Sequence, residues 1–131
     1  MKETFILPSN IEIERMVLAS MLGYENLLHA ARPLLAENEF STQLHQRIFS
    51  ICASLYDSGV AVDAATVGAE FYRRKIQEPL ILSYLVSLNE GLPELPAIDA
   101  YVQILRDLSL RRTLIVQAEN LQQRAILERG E

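Results

Sequence analysis

The chain has 131 residues, half of them hydrophobic, enough for one domain with a real core or one domain plus an extension. A net charge of −5 argues against a dedicated nucleic-acid module, which needs clustered cations, while leaving open a neutral or acidic part of a larger nucleic-acid machine. No apolar run approaches the ~20 residues that span a bilayer, and the single cysteine, Cys52, has no partner for an intramolecular disulfide.

The first element is LPSNIEIERMVLASML, residues 7–22. Glu12, Glu14 and Arg15 interrupt it too early for a secretory signal, and glutamates in place of lysines on its polar side exclude a membrane-surface anchor. A helix over 10–22 accounts for it better. Ser9 as N-cap with Glu12 three residues on makes a capping box, and the acids lie at the positive end of the helix dipole. Ile13, Val17 and Met21 repeat at four-residue spacing, Leu18 and Leu22 widen the stripe, and Gly23 ends it.

Strand signals are poor, because apolar residues recur at three and four rather than two. Six or seven helices are expected in all. A short one covers 24–31, and Pro33 starts a brief turn that ends before Phe40. A strong helix over 42–58 faces Leu44, Ile48, Ile51, Cys52 and Leu55 inward, with Gly59 as its C-terminal cap. Asp63 caps the next helix, whose Val67 and Phe71 point to the core. Pro79, acceptable as a first helical residue, opens PLILSYLVSL; this segment is apolar nearly all round and is expected to be the most buried helix.

GLPELP marks the clearest boundary. It divides a globular helical bundle, 1–95, from a long helix, 96–131, that has no Gly or Pro between Ala97 and Arg129. Ile98, Tyr101, Leu105 and Leu108 lie on one face of that helix, and Leu114, Leu121 and Ala125 on a shifted one. A helix of this length needs a partner for its apolar side. The sequence stops at Gly130-Glu131 before any return helix, which points to a truncated chain or an intermolecular partner.

Catalytic constellations are absent from the sequence. No G-x-x-x-x-G-K-[ST] loop and no G-x-G-x-x-G run is present. His29 and His45 fall on separate helices without metal-ligand spacing, so capping, packing or solvation accounts for them. Cys52, among Ile51, Ala53 and Leu55, reads as a small buried hydrophobe in a reducing cytoplasm. Glu12 and Glu14, two apart on a helix, point to different faces and are not an acid–base pair. Arg73-Arg74-Lys75 and Arg111-Arg112 read as a solvated helix end and a solvated helix face. Tyr84 and Tyr101 read as half-buried core tyrosines.

One ordered series of residues adds to this reading. Pro8, Asn10, Glu12 and Glu14 precede VLASML, and Phe40, His45 and Ile48-Phe49 follow. Then come Gly59, Asp63, Thr66-Val67, Tyr84-Leu85-x-x-Leu88 and a tyrosine-led helix ending in Arg111-Arg112. Across nearly the whole chain this resembles the N-terminal domain of the DnaB-family replicative DNA helicases. It departs at Ala19, where the family usually has glycine, and in SLNEGLPELPAID, which differs from the commoner small polar loop.

The resemblance implies an all-α fold: a small orthogonal helical bundle with a long C-terminal helix forming the first arm of a helical hairpin. It implies a non-catalytic collar domain that pairs with copies of itself in a hexameric ring and receives primase, and possibly a helicase loader, in a bacterial or phage-like replisome in the cytoplasm. DNA contact by this domain would be weak or indirect, with no membrane association. No cofactor is expected in it; ATP and Mg belong to a C-terminal ATPase domain that the 131 residues do not contain. Glu12, Tyr84, Leu114 and Leu121 are the interface candidates carried over. The competing expectation is a stand-alone helical adaptor or helicase paralogue, loader-like or inhibitor-like, using the same surface. A Walker loop downstream of Glu131 would separate the two.

Overall fold

The computed structural model describes residues 6–128 and contains, among them, six α-helices, two short 3₁₀ turns and no strand. The first helix, α1 (Ile11–Gly23), is capped by Asn10 rather than Ser9: the Asn10 side chain accepts from the Ile13 N–H at 3.1 Å. A capping side chain bonds to the third residue beyond it. With Asn10 in that role Glu12 is out of register for a capping box, and its carboxylate lies 4.0 Å from the Arg15 guanidinium instead.

α1 is the central helix. Val17, Leu18, Ala19, Ser20 and Met21 are all buried, five consecutive residues and therefore every side of the helix. It packs against α2 (Glu25–Ala31), α3 (Gln43–Asp57) and α6 (Ile98–Glu128). Each large apolar side chain held this way contributes about 1.5–3 kcal/mol. Ser20 escapes an unpaired hydroxyl by donating to the Met16 carbonyl at 2.7 Å.

The two 3₁₀ turns, Arg32–Leu34 with Pro33 inside it and Glu37–Glu39, carry the chain from α2 to Phe40. Phe40 is buried against Phe49, ring centroids 5.2 Å apart. Thr42 then caps α3 by accepting from the His45 N–H at 3.1 Å. α3 ends as expected at Gly59, whose φ of 76° only glycine adopts without penalty. The bonds Gly59 N–H to Tyr56 O and Val60 N–H to Leu55 O close the helix end. α4 (Ala64–Arg73) begins at the expected Asp63 cap, reciprocated by Thr66, and buries Val67 and Phe71. It closes with the same bond pattern, but Lys75 occupies the left-handed position that Gly59 fills after α3.

α5 corrects an expectation. It runs from Ile81 to Ser87, not from Pro79, and follows Leu80 in a left-handed backbone conformation. Within it only Leu85 is buried, while Leu80 is 80% exposed, Leu82 52% and Val86 58%. A short helix docked on one side buries a single stripe. An all-apolar composition makes a helix fit for burial, but neighbours decide it, and α1 has the neighbours.

α6 accounts for the long uninterrupted stretch, and the last three residues of the expected helix, 129–131, lie outside the described residues. Ile98, Val102, Leu105 and Ser109 are buried, with Tyr101 and Leu108 half-buried beside them. From Thr113 to Glu128 every residue is exposed. The second half of α6 therefore stands free of the bundle over about 24 Å at 1.5 Å per residue.

Candidate functional site

Three helices each place one polar residue on an otherwise apolar stripe. Glu14 shares the i, i+3, i+4, i+7 register of Val17, Leu18 and Met21 on α1. His45 shares that of Ile48, Phe49 and Cys52 on α3, and Tyr84 lies beside Leu85 and Leu88 at α5. The three come into contact where α1, α3 and α5 meet, with His45 in the middle. Glu14 Oε1 lies 2.7 Å from His45 Nδ1, and His45 Nε2 lies 2.6 Å from the Tyr84 hydroxyl. Arg15 Nη1 donates to the same hydroxyl at 3.2 Å and its guanidinium sits 5.4 Å from the Tyr84 ring centroid. The other Glu14 oxygen accepts the Ser41 backbone N–H at 2.9 Å.

The directions of these bonds follow from donor inventory. An ionised carboxylate only accepts, so His45 carries its proton on Nδ1 and presents Nε2 as acceptor. Tyr84 then donates to Nε2 and accepts from Arg15. The chain Arg15 → Tyr84 → His45 → Glu14 leaves no donor or acceptor of those side chains idle at its buried end. Burial pushes the Glu14 carboxyl up, but hydrogen bonds from His45 and Ser41 outweigh it and hold the group below its ordinary value. Ser41 Oγ is the one buried side-chain polar atom without a partner among the described residues.

This chain ends at two of the four candidate residues. Glu12 is exposed, and Arg15 bridges it to the half-buried Tyr84. Leu114 and Leu121 lie elsewhere, on the free half of α6, where they are 57% and 67% exposed. With Leu110 and Ala125 they follow spacings of four, seven and four, which set them on one narrow face, the seam geometry by which helices pair. Glu14, His45 and Arg15 were not among the sequence candidates. The signal that marks them is a polar residue in register with an apolar stripe.

Arg112 departs from its expected place on a solvated face. It is half-buried where α6 leaves the bundle, and donates to the Pro8 carbonyl at 3.0 Å and the Glu39 carbonyl at 2.9 Å. Arg111 is exposed and pairs with Asp107 at 3.1 Å. Arg73 and Arg74 both hydrogen-bond to Glu70, which holds that carboxyl down at about 2. His29 shares a hydrogen bond with the Tyr56 hydroxyl at the surface. Cys52 is fully buried and desolvation pushes its thiol up to about 12. No three His, Cys, Asp or Glu side chains gather among the described residues as a metal site would require, and no helix of these is long and apolar enough to cross a membrane.

The described residues thus form an all-α bundle with a long helix half outside it. More specifically, the chain belongs to the DnaB-like helicase N-terminal domain family, whose model matches residues 6–107. It is 31% identical over 117 residues to the replicative DNA helicase DnaC of Bacillus subtilis (strain 168), covering 88% of this chain and 26% of that protein. Against the replicative DNA helicase DnaB of Geobacillus stearothermophilus the identity is 32%, with the same coverage of 88% and 26%. The chain thus spans about a quarter of the length of these curated relatives. The crystal structure of the N-terminal domain of DnaB helicase from Mycobacterium tuberculosis superposes with a TM-score of 0.89 at 25% identity, covering 96% of this chain and 91% of that one. The all-α architecture with its long C-terminal helix is therefore that of the family.

Proposed function

We propose that this chain is the non-catalytic collar portion of a hexameric, ATP-dependent replicative DNA helicase, serving self-association and the docking of primase. The observation that carries the proposal is the free half of α6, which exposes Leu114 and Leu121 on one face. Pairing with the same face of a second copy would bury both residues. Each contributes about 1.5–3 kcal/mol, which the orientational cost of association of roughly 4–15 kcal/mol largely offsets. The isolated domain is thus expected to associate weakly, and a ring with several such contacts to hold by their combined effect.

Glu12 and Tyr84, joined through Arg15, are the other two interface candidates, and primase and a helicase loader are the partners expected with this reading. The net charge of −5 supports weak or indirect DNA contact. ATP and Mg are assigned to another part of the parent protein, since no glycine-rich loop followed by lysine occurs in these 131 residues. A replisome in the cytoplasm is the location that goes with this reading.

Sedimentation velocity across a range of concentrations tests it. The expected result is concentration-dependent association and a complex with the replicative primase of the same source, weakened by Glu12→Ala. A strict monomer that ignores primase would overturn the proposal. ATP turnover by a clean preparation of the chain would overturn its non-catalytic part.

A further inference from the structure

Residues 39–41 are held by side chains from three different helices. Arg112 of α6 donates to the Glu39 carbonyl at 2.9 Å, Gln46 of α3 donates to the Phe40 carbonyl at 2.8 Å, and Glu14 of α1 accepts the Ser41 N–H at 2.9 Å. The corner so held is stiff in itself. The Glu39 carboxylate accepts the Ala36 N–H at 2.9 Å, the Phe40 N–H closes back on the Glu37 carbonyl, and the Phe40 ring is fully buried. Arg112 is also the last residue of α6, among those described, that is not exposed, so the corner grips the helix where its free half begins. The root of α6 nevertheless has room to shift. A cleft of about 390 Å³ lies between Ser9 and Asn10 on one wall and Ile104, Asp107 and Arg111 on the other.

We propose that residues 39–41 are a latch that fixes the direction in which the free half of α6 leaves the bundle, and that breaking any of the three side-chain bonds lets the root of α6 shift within the cleft beside Ser9 and Asn10. Packing holds α6 only as far as Ser109, its last buried residue. Beyond that point no neighbour resists a tilt, and a lever of about 24 Å turns a tilt of ~10° at its root into ~4 Å at its tip. Hydrogen bonds to a rigid corner resist the tilt because each weakens steeply once its angle is lost. The three bonds share one short backbone segment, so the loss of one loosens the other two. Glu14 also accepts from His45, which ties the latch to the buried polar chain through Ser41. The latch, and not the exposed residues around them, then decides where Leu114 and Leu121 point. This inference concerns the direction of a helix and does not depend on the helicase reading.

Nitroxide labels at Asn26→Cys on α2 and Gln122→Cys on the free half of α6, both exposed positions, report that direction by pulsed electron resonance, with Cys52 left unlabelled by its burial. Labelled protein is diluted into unlabelled protein so that distances between copies do not contribute. The expected wild-type result is one narrow distance distribution. Arg112→Ala and Gln46→Ala should each widen it, Arg112→Ala by roughly twofold or more. The double variant should widen it no further than Arg112→Ala alone, since a latch opens once. Glu14→Ala should widen it too; if that variant fails to fold, the other two carry the test. Val67→Ala, a core truncation in α4 away from the corner, should lower the melting temperature and leave the distribution narrow. A distribution already broad in the wild type, an unchanged one in Arg112→Ala, or widening in Arg112→Ala alone would overturn the proposal. Strictly additive widening in the double variant would overturn it as well. Equal widening in Val67→Ala would do the same, by reducing the effect to a general loosening of the fold.

Discussion

Removing the Glu14 carboxylate is the sharpest perturbation of the buried polar chain. Glu14→Ala leaves the His45 Nδ1–H and the Ser41 N–H, now 2.7 and 2.9 Å from its oxygens, without their acceptor. Two orphaned donors cost about 1–3 kcal/mol each, together roughly 2–6 kcal/mol. A domain of this size has about 5–15 kcal/mol in total, so the alanine variant should sit near the limit of folding. Glu14→Gln keeps the shape but offers one acceptor oxygen where two are used. His45 can turn its Nδ1 into an acceptor for the amide, but Nε2 must then donate to Tyr84, which already accepts from Arg15. The phenolic proton loses its partner, and the expected loss is about 1–3 kcal/mol.

Urea unfolding followed by helical circular dichroism measures both variants. The pH dependence has a fixed sign. Because the folded state holds Glu14 below its ordinary value of 4.5, its contribution is fully present above that value and disappears as pH falls through the lower folded-state value. The gap between wild type and Glu14→Gln should therefore narrow on acidification below 4.5. A Glu14→Ala variant within about 1 kcal/mol of wild type, or a gap that stays constant in acid, would refute the reasoning.

Leu121→Asp should weaken self-association in sedimentation while leaving the melt within about 0.5 kcal/mol of wild type, because the side chain is exposed and outside the core; a collapsed melt would place it in the core after all. Arg112→Ala removes two hydrogen bonds to the Pro8 and Glu39 carbonyls and should cost about 1–3 kcal/mol. Hydrogen exchange around Asn10 and Phe40 should speed up in that variant, and unchanged exchange would show that the clamp holds nothing. Cys52, buried with its thiol pushed up to about 12, should react with a disulfide reagent at mildly alkaline pH only as fast as the fold opens. Immediate labelling of the folded protein would contradict that burial.

Local chemistry was legible in the sequence wherever one residue suffices to impose it. Asp63 caps α4 because its own side chain reaches the Thr66 N–H, and Gly59 ends α3 because only glycine takes its φ freely. The inward faces of α3 and α4 follow from apolar spacing, which is a property of a single helix. The error at the first cap has the same local scale: Ser9 and Asn10 are both good caps, and a one-residue shift of register chose between them.

What the tertiary structure alone decided is whatever depends on how many neighbours a helix meets. PLILSYLVSL carries more apolar residues than it can bury, since it docks on one side, whereas α1 is enclosed on all sides by α2, α3 and α6. The polar chain is of that kind too. Glu14, His45 and Tyr84 are each a misfit on an apolar stripe, and only the packing of three helices turns three costly burials into one satisfied network. Arg112 looked solvated because its helix faces outward there, and it became a clamp because residues distant in sequence, Pro8 and Glu39, present their carbonyls to it. Sequence periodicity fixes which faces of a helix are fit for burial, but burial and buried hydrogen bonds are pairwise properties, and their partners are set only when the chain folds.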